Sequence, residues 1–181
     1  MLHAVGVLEL KSIAKGVEAA DAALKSAGVT LISAHPACPG KFEIVLTGAI
    51  ADVSAAVDHV SERFGSTMVD SSVMGRIDER VIAALFGTQT AKREGSLGII
   101  ETFSAASAVK AADLAVKTAR VEIFDLRVSR GMGGKGIVMV TGDVGDVTAA
   151  VEAGAAYAEE HGLFANKSVI AAPHPELWEQ L

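Results

Sequence analysis

Cys38 is the one residue of this chain whose type alone suggests chemistry, because no other cysteine occurs in it. A lone cysteine most often serves as a small buried hydrophobe or an idle thiol. Its neighbours argue for something else. Pro36, Pro39 and Gly40 set the thiol on a stiff, tight turn, away from any apolar stripe. With no second thiol, a C-x-x-C zinc site and an intrachain disulfide are both excluded. A second loop, Arg130 to Gly136, has the glycine density of a phosphate-binding loop. The pattern G-x-x-x-x-G-K-[ST] nevertheless fails, since Ser129 stands where its first glycine belongs and Gly136 where its Ser or Thr does. The apolar run that follows reads as a strand, so no helix N-terminus is available to hold phosphate. The five histidines, His3, His35, His59, His161 and His174, share no metal-ligand spacing. His35, three residues before Cys38, reads as a surface-loop residue. Glu9 and Glu101 read as structural hydrogen-bond partners rather than an acid–base pair, and no Ser-His-Asp or paired-carboxylate spacing points to an enzyme.

The frame that must position these loops is a duplication. Val5-Gly6-Val7-Leu8-Glu9 returns as Leu97-Gly98-Ile99-Ile100-Glu101, ninety-two positions later. At the same offset Ser12 matches Ser104, Asp21 matches Asp113, Lys25 matches Lys117 and Val29 matches Val121. The offset grows to 94 at Gly40-Lys41 and Gly134-Lys135, and to 96 at Ser72-Val73 and Ser168-Val169. Small insertions between packed elements are what a duplicated domain carries, because loops absorb length changes. Cys38 has no counterpart in the second copy.

Each copy reads β-α-β-β-α-β-α. The expected strands of the first are Ala4–Leu10, Val29–Ser33, Phe42–Thr47 and Met68–Met74. Ser12 caps a first helix whose apolar stripe is Ile13, Val17, Ala20, Leu24 and Ala27, and Gly28 ends it. Asp52 opens a second helix with the stripe Val53, Ala56, Val57, Val60 and Phe64, closed by Gly65. Asp78 to Phe86 forms a short third. The second copy repeats the order with strands at Leu97, Val121, Ile137 and Asn166, helices from Ser104 and Asp146, and a tail helix around Glu176–Leu181. The resulting expectation is an α+β fold, two tandem copies of a four-stranded, mainly antiparallel sheet with helices packed on it. The boundaries are 1–87 for the first domain, 88–96 for the linker and 97–181 for the second.

Composition narrows the functional classes. The net charge is −6 with no run of Lys or Arg, so nothing offers a nucleic-acid footprint. No apolar stretch reaches membrane-spanning length. Met1-Leu2-His3 shows no export leader, and a single cysteine fits a reducing cytoplasm. Half the residues are hydrophobic, and the mean hydropathy of +0.39 points to surface buried against other subunits.

The chain resembles the bacterial microcompartment shell proteins of the tandem-domain, trimer-forming kind. Gly98-Ile99-Ile100-Glu101-Thr102, Ala111 to Lys117, Thr141-Gly142-Asp143-Val144 and Ser168 to His174 carry the resemblance. Within the family, Ser12-Ile13-Ala14-Lys15-Gly16 and Cys38-Pro39-Gly40-Lys41-Phe42 are most similar to the propanediol-utilisation branch. The resemblance implies a homotrimer forming a pseudohexameric tile, laid edge to edge with other shell proteins around encapsulated enzymes, one of them a possible redox partner. It implies a central pore lined by Ala37, Cys38, Pro39 and Gly40 and by Met132, Gly133 and Gly134, with a [4Fe-4S] cluster held by Cys38 from three chains for electron transfer across the shell. Three thiolates also suit zinc. Lys41 and Lys135 then read either as a cationic ring near the pore or as ordinary solvated lysines. Lys25 and Lys117 match the family's tile-edge lysine, while Ala172 stands where single-domain relatives carry an edge arginine. A small redox enzyme or a ligand-sensing trimer built on the Cys38 site is the competing reading.

Overall fold

The computed structural model describes residues 4–92, 94–128 and 131–181. The expectations placed on Met1-Leu2-His3, on Ser129 and on Arg130, the first residue of the glycine-rich loop, fall outside them. In chain order the elements are β1 (Ala4–Leu10), α1 (Ile13–Ser26), β2 (Thr30–Ala37), β3 (Lys41–Gly48), α2 (Ile50–Phe64), β4 (Met68–Met74) and α3 (Glu79–Leu85). They continue with β5 (Ser96–Thr102), α4 (Ala105–Thr118), β6 (Val121–Val128), β7 (Gly136–Gly142), α5 (Val144–Glu160), β8 (Phe164–Ile170) and α6 (Pro175–Gln180).

The strands form two antiparallel sheets of identical order, β2-β3-β1-β4 and β6-β7-β5-β8. The duplication extends to their irregularities. The register shifts between Glu9 and Leu10 in one sheet and between Glu101 and Thr102 in the other, which are matched positions. The α+β architecture read from the sequence is therefore the observed one. Among the described residues no helix is long and apolar enough to cross a membrane.

The chain divides into two compact units that do not follow the sequence copies. The first takes in the described residues up to Ile77, with Ser104–Ser107 and the described part of Ser129–Gly134. The second takes in Asp78–Phe103, Ala108–Val128 and Lys135–Leu181. Helix α3 belongs to the second unit because it packs on β6, and Arg80 donates to the carbonyls of Val121 on β6 (2.8 Å) and of Val116 on α4 (3.1 Å).

In the first unit α1 and α2 lie side by side on one sheet face over Leu8, Leu10, Ile44 and Leu46, all fully buried. The α2 stripe Val53, Ala56, Val57, Val60 and Phe64 is buried as expected. The α1 stripe is a correction. Ile13, Val17 and Leu24 are exposed, and the buried face is Gly16, Ala19, Ala20, Ala22 and Ala23. Residues 16, 19, 20 and 23 keep helical spacing as well as the larger residues do. The small set faces the sheet because Phe42 of β3 fills the space between the layers, where a Cβ on Gly16 would lie 2.3 Å from the Phe42 Cβ. Large side chains have no room on that side.

Three smaller expectations also shift. Gly28 is not in the left-handed conformation of a helix-terminating glycine, and Ala27, in extended backbone, caps α1. Helices α2 and α5 start two residues before Asp52 and Asp146, so these carboxylates lie in the first turn and complement the helix dipole instead of capping it. Strand β2 runs on to Ala37, through His35 and Pro36, which the sequence assigned to a turn.

Candidate functional site

Strands β2 and β3 meet in the turn Ala37-Cys38-Pro39-Gly40, closed by the Gly40 N–H donating to the Ala37 carbonyl at 3.0 Å. The Cys38–Pro39 bond is cis, which places proline at the third position of a type VI turn. Gly40 has φ +83° and its counterpart Gly134 φ +85°, so each copy finishes this loop with a left-handed residue before its lysine. Cys38 is a free, exposed thiol at the tip.

The glycine-rich loop of the second copy lies against this turn within the first unit. A Cβ added to Gly134 would be 2.9 Å from both the Cys38 carbonyl oxygen and the Pro39 Cδ, so only glycine permits that approach. Gly134 is buried, Gly133 exposed and Met132 half-buried. Of the expected pore set, the structure thus brings Ala37, Cys38, Pro39 and Gly40 together with Gly134. The strand β7 that follows leaves no helix N-terminus for a phosphate, as the sequence indicated.

Lys41 fixes the two loops to the sheet. Its Nζ is 3.1 Å from Glu9 Oε1 and donates to the Gly134 carbonyl at 3.2 Å. Glu9 is fully buried, and its other oxygen accepts from the Ala105 N–H at 3.0 Å, at the start of α4. Lys41 is therefore neither a solvated lysine nor a pore cation facing solvent. It is a mostly buried structural tie, and Glu9 is the structural acceptor expected of it. Lys135 pairs with Glu101 at 2.9 Å in a more exposed setting.

The sequence reading missed the row in which Glu9 stands. The register places His35, Glu43, Glu9 and Asp70 directly opposite one another across β2, β3, β1 and β4. Glu43 is buried, with His35 Nε2 at 4.0 Å from its carboxylate. His35 is thus a half-buried strand residue and not a surface-loop one. Asp70 accepts from the hydroxyls of Ser104 and Ser107 (2.7 Å for the latter), while Ser104 Oγ accepts from the Ser107 N–H at 3.0 Å and so caps α4. The available signal was the alternation in β3, where Glu43 shares a face with Lys41; hydrophobicity alone gives no reason to bury it.

Lys25 and Lys117 end α1 and α4, each paired one turn back with an aspartate at 2.6 Å, Asp21 and Asp113. Among the described residues no group of three or more His, Cys, Asp or Glu is arranged to hold a metal within one chain. Away from the loops, Asp78 caps α3 and receives the Arg80 guanidinium at 2.9 Å on both oxygens. That guanidinium, against the opposing effect of burial and with help from the Arg80 N–H, holds the Asp78 carboxyl below its usual range.

The BMC domain model matches residues 4–77 and 96–173. The chain is 41% identical over its full length to the bacterial microcompartment shell protein PduT of Citrobacter freundii, covering 98% of that protein. It is 31% identical to the carboxysome assembly protein CcmO of Synechococcus elongatus, over 98% of this chain and 68% of that one. Among solved structures, a microcompartments protein from Desulfitobacterium hafniense DCB superposes with a TM-score of 0.84 at 38% identity, covering 99% of both chains.

Proposed function

Because the chain belongs to the BMC-domain family and is a structural shell protein of a bacterial microcompartment rather than an enzyme, we propose that three copies join into one tile with Cys38 on its axis. The observation that carries this reading is the presentation of Cys38. The thiol is exposed at a turn whose stem is anchored by the buried Lys41–Glu9 pair and whose flank is packed by Gly134. One chain offers one such thiolate, so a thiolate-rich centre needs symmetry to complete it. Three Cys38 side chains would hold a [4Fe-4S] cluster through three of the four thiolate positions such a cluster takes. A bound cluster would supply one-electron exchange, and the chain's own part is to hold the thiols at the pore mouth and keep the loop from collapsing. Ala37, Pro39, Gly40, Met132, Gly133 and Gly134 line that pore in this reading. Lys25 and Lys117 meet neighbouring shell proteins at the tile edges, and an encapsulated redox enzyme would exchange the electrons.

The test is anaerobic reconstitution with iron and sulfide, with iron, zinc and molecular mass measured beside a Cys38→Ser variant. About four irons per three chains, lost in the variant, is the expected result. Zinc at one per three chains would replace the cluster with a thiolate zinc site. No metal in either protein would reduce Cys38 to a pore thiol.

A further inference from the structure

We propose that the cavity bounded by the start of β5, the start of α5 and helix α6 binds a small organic ammonium ion, an apolar body of several carbons with one positive charge. The cavity lies wholly within the second unit, has a volume of about 770 Å³ and is open to solvent. The proposal goes beyond the Cys38 reading and does not depend on it.

The walls are fixed by the fold. Gly95, at φ +82°, brings the chain ahead of β5 against the end of β7, where a Cβ would lie 2.8 Å from the Gly142 carbonyl oxygen. Ser96 Oγ donates to the Ala171 carbonyl at 2.9 Å, and Thr141 Oγ donates to the Glu94 carbonyl. These two bonds tie the end of β8 and the approach to β5 to the sheet. Pro173 and Pro175 restrict the backbone on the way into α6. Trp178 of α6 forms part of the wall and is held edge-on to Phe124, with ring centroids 5.6 Å apart at 73°. A concave site of this size, with apolar walls and a few charged groups, is the form that small-ligand sites take.

The charge at the cavity has one sign. Its charged lining residues are Glu94, Asp143 and Glu179, and no described lysine or arginine lines it. Asp143 stands at the N-cap of α5 without capping it through its side chain, and no described cation pairs with Asp143 or Glu179. Glu94 is 3.7 Å from Lys92, with both side chains largely exposed. The positive end of the α5 dipole opposes a cation here, but Asp143 and the first-turn Asp146 already face it. An ammonium head among the three carboxylates leaves its apolar body for Val144, Pro173 and Trp178, and an indole wall attracts cations in its own right. An anion of the same shape meets three like charges.

The duplication separates these groups from the demands of the fold. At matched positions the first copy has Ala49 for Asp143, Ile82 for Trp178 and Ala83 for Glu179, and it carries Arg76 where the second copy has Ala172. Both copies build the same sheet, so neither the acids nor the indole is needed for it. Only the second copy sets two acids and an indole around an alanine in place of a cation.

Trp178 is the only tryptophan of the chain, so its fluorescence reads this cavity directly. The test titrates the full chain with phenethylammonium, with phenethyl alcohol as the neutral counterpart and with phenylpropanoate as the anion, and repeats each titration by calorimetry. The expected result is saturable binding of the ammonium that weakens as salt is added, with weaker or no binding of the other two. Asp143→Asn and Glu179→Gln should each weaken the ammonium about two- to fivefold with the circular dichroism retained. No saturable binding of the ammonium, an alcohol or anion that binds as tightly, or unchanged affinity in both carboxylate variants would overturn the proposal.

Discussion

Replacing Gly16 by alanine should destabilise the protein, against the direction that helix propensity gives. Alanine is favoured over glycine in a helix interior by about 1 kcal/mol. Here the new Cβ would lie 2.3 Å from the Phe42 Cβ, 2.4 Å from its Cγ and 2.5 Å from its Cδ1. Those atoms belong to the root of a buried side chain, so no rotation of a flexible end relieves them. Helix and strand must separate, and overpacking of this kind costs about 1–3 kcal/mol and occasionally more. The net effect is a loss of up to about 2 kcal/mol, or up to roughly 8 °C in Tm at this size. The chain contains its own double variant: at the matched positions the second copy has Ala108 in place of Gly16 and Gly136 in place of Phe42, both buried. In a Phe42→Ala background, itself costing about 3–5 kcal/mol, Gly16→Ala should turn from destabilising to neutral or stabilising. Urea unfolding followed by circular dichroism reads all four proteins. A stabilising Gly16→Ala in the native background, or equal effects in the two backgrounds, would refute the packing argument.

Three further outcomes follow from the loops and the caps. Lys41→Met removes one partner of a buried ion pair and should cost about 3–5 kcal/mol, with faster proteolysis in the glycine-rich loop that Lys41 holds, read by limited digestion and mass spectrometry. Gly134→Ala should cost more than Gly40→Ala in a thermal melt. Both residues are left-handed, a conformation that costs other residues about 1–2 kcal/mol, but a Cβ at Gly40 meets nothing within 4 Å whereas one at Gly134 strikes the Cys38 turn. Asp78 has its folded-state pKa lowered, so its contribution is fully present above the unfolded value near 4 and is lost as pH falls through the lower folded value. Asp78→Asn keeps a capping side chain but loses the partly exposed Arg80 ion pair, so it should cost at most about 1 kcal/mol at neutral pH and flatten the loss of stability below pH 4, measured by denaturant titration across that range.

The amino-acid sequence by itself determined the duplication, and through it the succession of strands and helices along the chain, the α2 stripe and the setting of Cys38. A repeat with small offsets at loops transmits the same hydrogen-bonding and packing demands to both copies, and proline and glycine constrain a turn locally. The face that α1 buries was not legible, because small and large residues recur on it at equal spacing and the choice depends on Phe42, a strand away. Nor was the burial of Glu9 and Glu43 beside Lys41 and His35, since a carboxylate enters a protein interior only when distant donors arrive with it. The exchange of segments between the copies, with Ser104–Ser107 in the first unit and α3 in the second, was likewise settled in three dimensions. Sequence spacing records what each element requires of its own neighbours, whereas burial depends on which other elements arrive to cover it.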